Sequence, residues 1–275
     1  MSYAAVLTHV QADAEAAPRL ACAVATARRF DAALIGIAAE MIPPLAFDGG
    51  FYSLEADWTT AMRQTIDERL ELARAAFAKA TDGFGARATF ASGLQMPCPA
   101  VAAASRAADL IVAGGAPRDA NDAYRCCSAA ELAIISGRPI LVAPPTAPPL
   151  QAKSVLVAWK DTREARRALT DAMPFLMAAE NVAVVAVCAE IDEANAKVQV
   201  EDVAGALARR GIRSAPKVVV HGHPDGFQIL RQAGQVEADL IVCGAYGHSR
   251  LGEWVFGGVT ADLLGQDEAY LLFSH

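Results

Sequence analysis

The residues best suited to chemistry lie in one stretch near the end of the chain, Ala238-Asp-Leu-Ile-Val-Cys-Gly244-Ala-Tyr-Gly247-His-Ser-Arg-Leu-Gly-Glu-Trp-Val-Phe-Gly257-Gly258-Val-Thr260. Apolar Leu240 to Cys243 reads as a short buried strand, broken by Gly244 and Gly247. Nine residues further on, Gly257 and Gly258 precede Val259-Thr260-Ala-Asp-Leu-Leu264, which reads as the start of a helix. Glycines permit left-handed backbone and let a ligand approach the main chain closely. Open N–H groups at a helix start attract anions. The chemistry implied is the cradling of a phosphate. The plain alternative is an ordinary glycine-rich link between a strand and a helix. The spacing matches neither G-x-G-x-x-G nor G-x-x-x-x-G-K-[ST].

The pattern G-x-x-G, nine residues, then G and a small residue resembles the nucleotide loop of the universal stress protein family. The resemblance rests on Gly-Ala-Tyr-Gly-His-Ser-Arg-Leu and on the Gly-Gly-Val-Thr turn. It implies that Gly244, Gly247, Gly257, Gly258, Val259 and Thr260 hold phosphates. It places Ala158, Trp159 and Lys160 on the base and ribose side, Val187 along the pocket, and His248 within the loop. There are two departures. The family's Ser/Thr after the last glycine is Gly258 here, and its acidic residue at the end of the first strand is Lys160, with Asp161 one step later. Either Asp161 takes the acidic role or the ribose contact is lost, at about 1.5–3 kcal/mol for a charge-assisted hydrogen bond. Lys160 itself reads as a phosphate partner or as a solvated surface lysine.

The elements that would position these residues occur twice. Ala108-Asp-Leu-Ile-Val-Ala-Gly114 nearly repeats Ala238-Asp-Leu-Ile-Val-Cys-Gly244, an offset of 130, and Val6-Leu7 with Glu15-Ala16 and Leu20 matches Val155-Leu156 with Glu164-Ala165 and Leu169, an offset of 149. Both halves read as strand, helix, strand, variable middle, then Ala-Asp-Leu-Ile-Val and glycine. The strands are continuous apolar runs, as expected of parallel strands buried on both faces. The expected fold is α/β, two doubly wound units with mostly parallel five-stranded sheets. It is Rossmann-like, of the adenine nucleotide alpha hydrolase-like kind that the resemblance implies. The units are expected at 1–145 and 151–275, divided by the proline-rich Ala143–Leu150 and paired about a pseudo-twofold through Pro139–Ala143 and Tyr270–Phe273. A single helix is expected over Glu164–Leu176.

The first unit carries about 19 extra residues, an insertion over 41–56 that includes Met41–Tyr52 and suggests packing or a contact more than a ligand lid. Its loop is degenerate. The 130 offset puts Pro117, Cys127 and Ser128 where the second unit has Gly247, Gly257 and Gly258. Proline lacks both the N–H and the freedom a phosphate cradle needs. One nucleotide site is therefore expected, in the second unit, and Ser128 is expected to cap a helix.

Composition bounds the remainder. The 275 residues are 54% hydrophobic and 20% charged, which suits two domains with large cores. A net charge of −7 argues against a nucleic-acid partner. No apolar run reaches the ~20 residues a bilayer demands, and Met1-Ser-Tyr-Ala-Ala-Val-Leu has no basic flank, so neither a membrane partner nor a signal peptide is read and a cytoplasmic protein is expected. The six cysteines form no C-x-x-C, and the adjacent Cys126-Cys127 reads as structural. His221-Gly-His223 can open a zinc site only with more ligands, of which His248 and Asp225 are the nearest candidates; no metal is expected.

Together these readings describe a stress-linked regulator binding ATP, with or without Mg²⁺, or another adenine nucleotide, as an internal pseudo-dimer open to further homodimerisation. No nucleophile–base pair or P-loop acidic site is evident, so hydrolysis would be slow at most. The rivals are a nucleotide-free scaffold that binds a protein or apolar ligand, and a Rossmann-type oxidoreductase or nucleotide hydrolase. The oxidoreductase would want G-x-G-x-x-G where Ala158-Trp-Lys-Asp-Thr162 stands.

Overall fold

The computed structural model describes residues 2–11, 16–44, 52–114, 123–146, 148–221, 225–245, 258–265 and 269–275. They fall into two compact units, Ala4–Ser136 and Gly137–His275, the latter joined by Met1–Tyr3.

Among the described residues the first unit holds four parallel strands, β1 (Ala5–His9), β2 (Ala33–Glu40), β3 (Ala88–Leu94) and β4 (Leu110–Ala113), in the order β3-β2-β1-β4. Val6, Leu7, Leu34, Leu110, Ile111 and Val112 are fully buried. That is why the strands read as unbroken apolar runs. Helix α1 (Ala16–Phe30) buries Leu20, Ala23, Val24 and Ala27, one stripe at helical spacing. Helix α2 (Tyr52–Ala80) does the same with Ile66, Leu70, Ala73 and Phe77. It begins within the 41–56 insertion, so the end of the insertion is helical. At the insertion's start, Met41 N–H donates to Tyr124 O at 2.8 Å; residues 45–51 lie outside the described residues. The unit is completed by α3 (Pro97–Ala104) and α4 (Ala129–Ile135). Ser128 caps α4 as expected, its Oγ accepting from Glu131 N–H at 3.4 Å.

The second unit holds six strands: β5 (Ile140–Val142), β6 (Ser154–Ala158), β7 (Asn181–Cys188), β8 (Ala215–Val220), β9 (Leu240–Gly244) and β10 (Tyr270–Ser274). Their order is β5-β10-β9-β6-β7-β8. All neighbours are parallel except β5 and β10, which pair antiparallel with Ile140 opposite Phe273 and Val142 opposite Leu271. This is the expected meeting of Pro139–Ala143 with Tyr270–Phe273. It also explains why the units hold four and six strands where the repeat suggested five each.

The expected helix Glu164–Leu176 is two helices, α5 (Arg163–Asp171) and α6 (Met173–Ala178). Pro174 has no N–H for the Thr170 carbonyl, and the chain turns at Ala172 (φ −81°, ψ −4°). Helices α7 (Glu193–Ala208), α8 (Asp225–Gln235) and α9 (Gly258–Leu264) complete the unit.

In each unit the first strand of the repeat lies between its second and its fourth strands. β1 lies between β2 and β4, and β6 between β7 and β9. Such reversals of winding open a crevice at the carboxyl ends of the strands, the usual ligand position in this architecture.

Candidate functional site

In the second unit the crevice is framed by β9, β6 and β7. Ala158 pairs with Cys243 on one side and Val185 on the other. Trp159 and Lys160 therefore emerge between Gly244 and Val187. Trp159 N–H donates to Val185 O at 2.7 Å, which ties the turn to β7. Trp159 is 9% exposed, and its indole N–H has no hydrogen-bond partner among the described residues. Lys160 is exposed and Val187 half-buried.

The turn runs directly into α5. Thr162 Oγ1 accepts from Ala165 N–H at 3.3 Å and caps the helix. Asp161 is exposed, and its carboxylate accepts from Arg166 at 2.5 Å. Glu164, two residues past the cap, is buried. Burial raises its carboxyl, but hydrogen bonds from Arg163, its own N–H and Thr162, with the Arg163 charge, outweigh that and hold it below the usual carboxylate range.

Gly244 lies directly under this turn. A Cβ on it would stand 2.5 Å from Ala165 N and 2.7 Å from Glu164 C. Its glycine is therefore demanded by the first turn of α5, whatever a ligand asks of it. Ala245 N–H donates to Ser274 O at 2.9 Å, and the His275 ring lies 3.2 Å from Ala245 O, so the start of the loop is held by the end of β10. Beyond it, Gly258 opens α9, with Val259 half-buried and Thr260 buried. Gly247, His248 and Gly257 lie outside the described residues, as do Trp254 and His223. Ala158, Trp159, Lys160, Val187 and Gly244 are thus gathered at one end of the sheet, while Asp161 is engaged with Arg166. Among the described residues no three of His, Cys, Asp and Glu are grouped to hold a metal ion.

The corresponding crevice of the first unit is filled by its own side chains. Arg19, from the first turns of α1, reaches over the ends of β1 and β4. Its Nε donates to His9 O at 2.9 Å and its Nη2 to Gln11 Oε1 at 2.5 Å. Gln11 Nε2 in turn donates to Arg125 O at 2.9 Å and meets Cys126 Sγ at 3.0 Å. A Cβ on Gly114 would stand 2.9 Å from Arg19 Nη1. His9 is fully buried, and burial, helped by the Arg19 charge, pushes it down to about 3 against a hydrogen bond with Ala39 O. At the end of β2, the nearly buried Glu40 lies 3.2 Å from Arg69 and 3.7 Å from Arg125.

None of these four residues stood out in the sequence. The repeat does carry the signal. The 149 offset sets His9, Gln11 and Arg19 against Ala158, Lys160 and Ala168, and the strand registers set Glu40 against Cys188. Two of the four, His9 and Arg19, are alanines in the second unit.

The family model of the universal stress protein family matches residues 151–266. A universal stress protein from Archaeoglobus fulgidus DSM 4304 shares the fold at a TM-score of 0.69 and 14% identity, with 98% of this chain and 97% of that one covered. A putative universal stress protein from Pseudomonas aeruginosa UCBPP-PA14 does so at 0.55 and 14%, with 98% and 92% covered. No curated protein matches the chain. The duplicated doubly wound fold and the match over the second half agree: residues 151–266 are a universal stress protein family domain, and the chain along its length shares the fold of the Archaeoglobus fulgidus protein.

Proposed function

We propose that the second unit binds an adenine nucleotide, ATP by preference, at the carboxyl ends of β6, β7 and β9, and that the protein serves as a nucleotide-responsive regulator in a stress response. The observation that carries this reading is the contrast between the crevices. His9 and Arg19 close the first, and Ala158 and Ala168 stand in their places in the second. The site also fits a group rich in acceptors. The buried indole N–H of Trp159 lacks a partner among the described residues, and a buried donor left unmade costs about 1–3 kcal/mol. Ala158, Trp159 and Val187 would line the base side. Gly244, Gly247, Gly257, Gly258, Val259 and Thr260 would follow the phosphates, with His248 shaping the loop. Bound ATP would bring its phosphates and any Mg²⁺ with it. The chain's own part is to hold and orient them.

The ribose side is the weak point, because Asp161 is engaged by Arg166 and Lys160 is exposed. Calorimetric titration of the chain with ATP and Mg²⁺, beside Gly247→Pro and Lys160→Asp, tests the whole reading. One site per chain, lost in the first variant and about ten-fold tighter or more in the second, is expected. No binding by the natural chain would overturn the nucleotide reading, and two sites would overturn the closed state of the first unit.

A further inference from the structure

Three of the six cysteines meet in the first unit, beside the Arg19 network. Cys98 is the second residue of α3, and its Sγ accepts from Ser128 N–H at 3.2 Å and lies 3.9 Å from Ser128 O. The sulfur is thus seated against the peptide that joins Cys127 to Ser128. Burial, and after it the neighbouring Cys98, push the Cys127 thiol well above its ordinary value. Cys126 Sγ is met instead by Gln11 Nε2 at 3.0 Å. Cys98 and Cys127 are 5% and 8% exposed.

We propose that Cys98 and Cys127 are a dithiol that a small hydroperoxide converts to a disulfide, an oxidative modification site in the first unit. The pairing follows from spacing. A disulfide wants its Cα atoms about 4.4–6.8 Å apart, whereas the neighbours Cys126 and Cys127 are held at ~3.8 Å by a trans peptide. Cys98 comes from another helix and has no such constraint.

Roles divide by environment. Cys98 Sγ, at the start of α3 and against the Ser128 N–H, is the sulfur that meets the hydroperoxide. Burial pushes the Cys127 thiol well up, so it stays protonated until its turn comes. Cys98 sulfur attacks the terminal oxygen of the hydroperoxide and the O–O bond breaks. The departing alkoxide takes the thiol proton and leaves as an alcohol, and Cys98 becomes a sulfenic acid. Cys127 sulfur then attacks that sulfur. The S–O bond breaks, and hydroxide leaves with the Cys127 proton as water. Two thiols have lost two electrons to one hydroperoxide, reduced to alcohol and water. The product would tie α3 to the start of α4, next to the Cys126–Gln11–Arg19 chain. This inference stands apart from the nucleotide reading.

The test treats the full chain with hydrogen peroxide, alkylates the remaining thiols after unfolding, and maps the peptides by mass. The expected result is a loss of two hydrogen masses and a dithiothreitol-reversible link between the peptides carrying Cys98 and Cys127. It should be absent in Cys98→Ser and in Cys127→Ser and retained in Cys126→Ser. The natural chain's own peptide map decides the pairing even if a variant folds poorly. A Cys126–Cys127 link, oxidation confined to Cys126, or no mass change would overturn the proposal.

Discussion

Gly244 and Gly114 hold equivalent places in the repeat, yet they answer to different neighbours. At Gly244 an added methyl meets backbone, Ala165 N at 2.5 Å, so β9 or the first turn of α5 must shift. At Gly114 it meets the end of a long side chain, Arg19 Nη1 at 2.9 Å, which can swing. Overpacking against a fixed wall costs about 1–3 kcal/mol. Gly244→Ala should therefore lower stability to urea by that amount, and Gly114→Ala by clearly less; equal losses would contradict the close approach of α5. His9 supports a second prediction at this scale. Unfolded, it takes a proton below its ordinary 6.5; folded and buried, it takes none until about 3. Between those values the unfolded chain binds the extra proton, so the stability His9 allows is whole above pH 6.5 and is lost as pH falls toward 3. The slope is about 1.4 kcal/mol per pH unit for one such group. His9→Leu should be less acid-sensitive than the natural chain between pH 6.5 and 4, measured as the difference between their urea midpoints. Parallel curves would show that His9 is not buried neutral.

At the scale of elements, the sequence exposed what periodicity controls. The apolar runs of β1, β4, β6 and β9 and the stripes of α1 and α2 are local patterns that burial on one or both faces imposes. The break between α5 and α6 was also local, since Pro174 is a visible stop, but the apolar residues on either side continue at helical spacing and masked it. The site was legible in a different way. Its glycines and the carboxyl ends of its strands can be read from motif and order. The engagement of Asp161 by Arg166 depends on how the first turn of α5 presents its side chains. The closure of the first crevice was harder still, because Arg19, Gln11, Arg125 and Cys126 are brought together from across the unit, and no local pattern couples residues 11 and 125. Only the comparison of one half with the other, an arginine against Ala168, carried the signal. The same distance hid Cys98 from Cys127.

For the whole molecule, duplication explains the two units but not their boundary. The proline-rich linker suggested a cut near residue 145, whereas the compact units divide at Ser136 and Gly137. The reason is β5. Ile140 and Leu141 are fully buried and Val142 nearly so, and they pair with Leu271, Leu272 and Phe273, themselves almost wholly buried. A fragment of residues 151–275 would leave β10 without this neighbour, baring both its hydrogen-bonding edge and its apolar side chains. Burying a Val, Leu or Ile side chain is worth about 1.5–3 kcal/mol, so losing three removes several kcal/mol from a domain whose whole stability is on the order of 5–15 kcal/mol. An unpaired apolar edge also invites association. The fragment 137–275 keeps the ladder and the Tyr270 hydroxyl's bond to Pro148 O at 3.1 Å. It should melt cooperatively and at a clearly higher temperature than 151–275, which should melt low or associate in gel filtration. If the shorter fragment melts as high and remains monomeric, β5 is no part of the second unit's core, and the boundary belongs in the proline-rich linker after all.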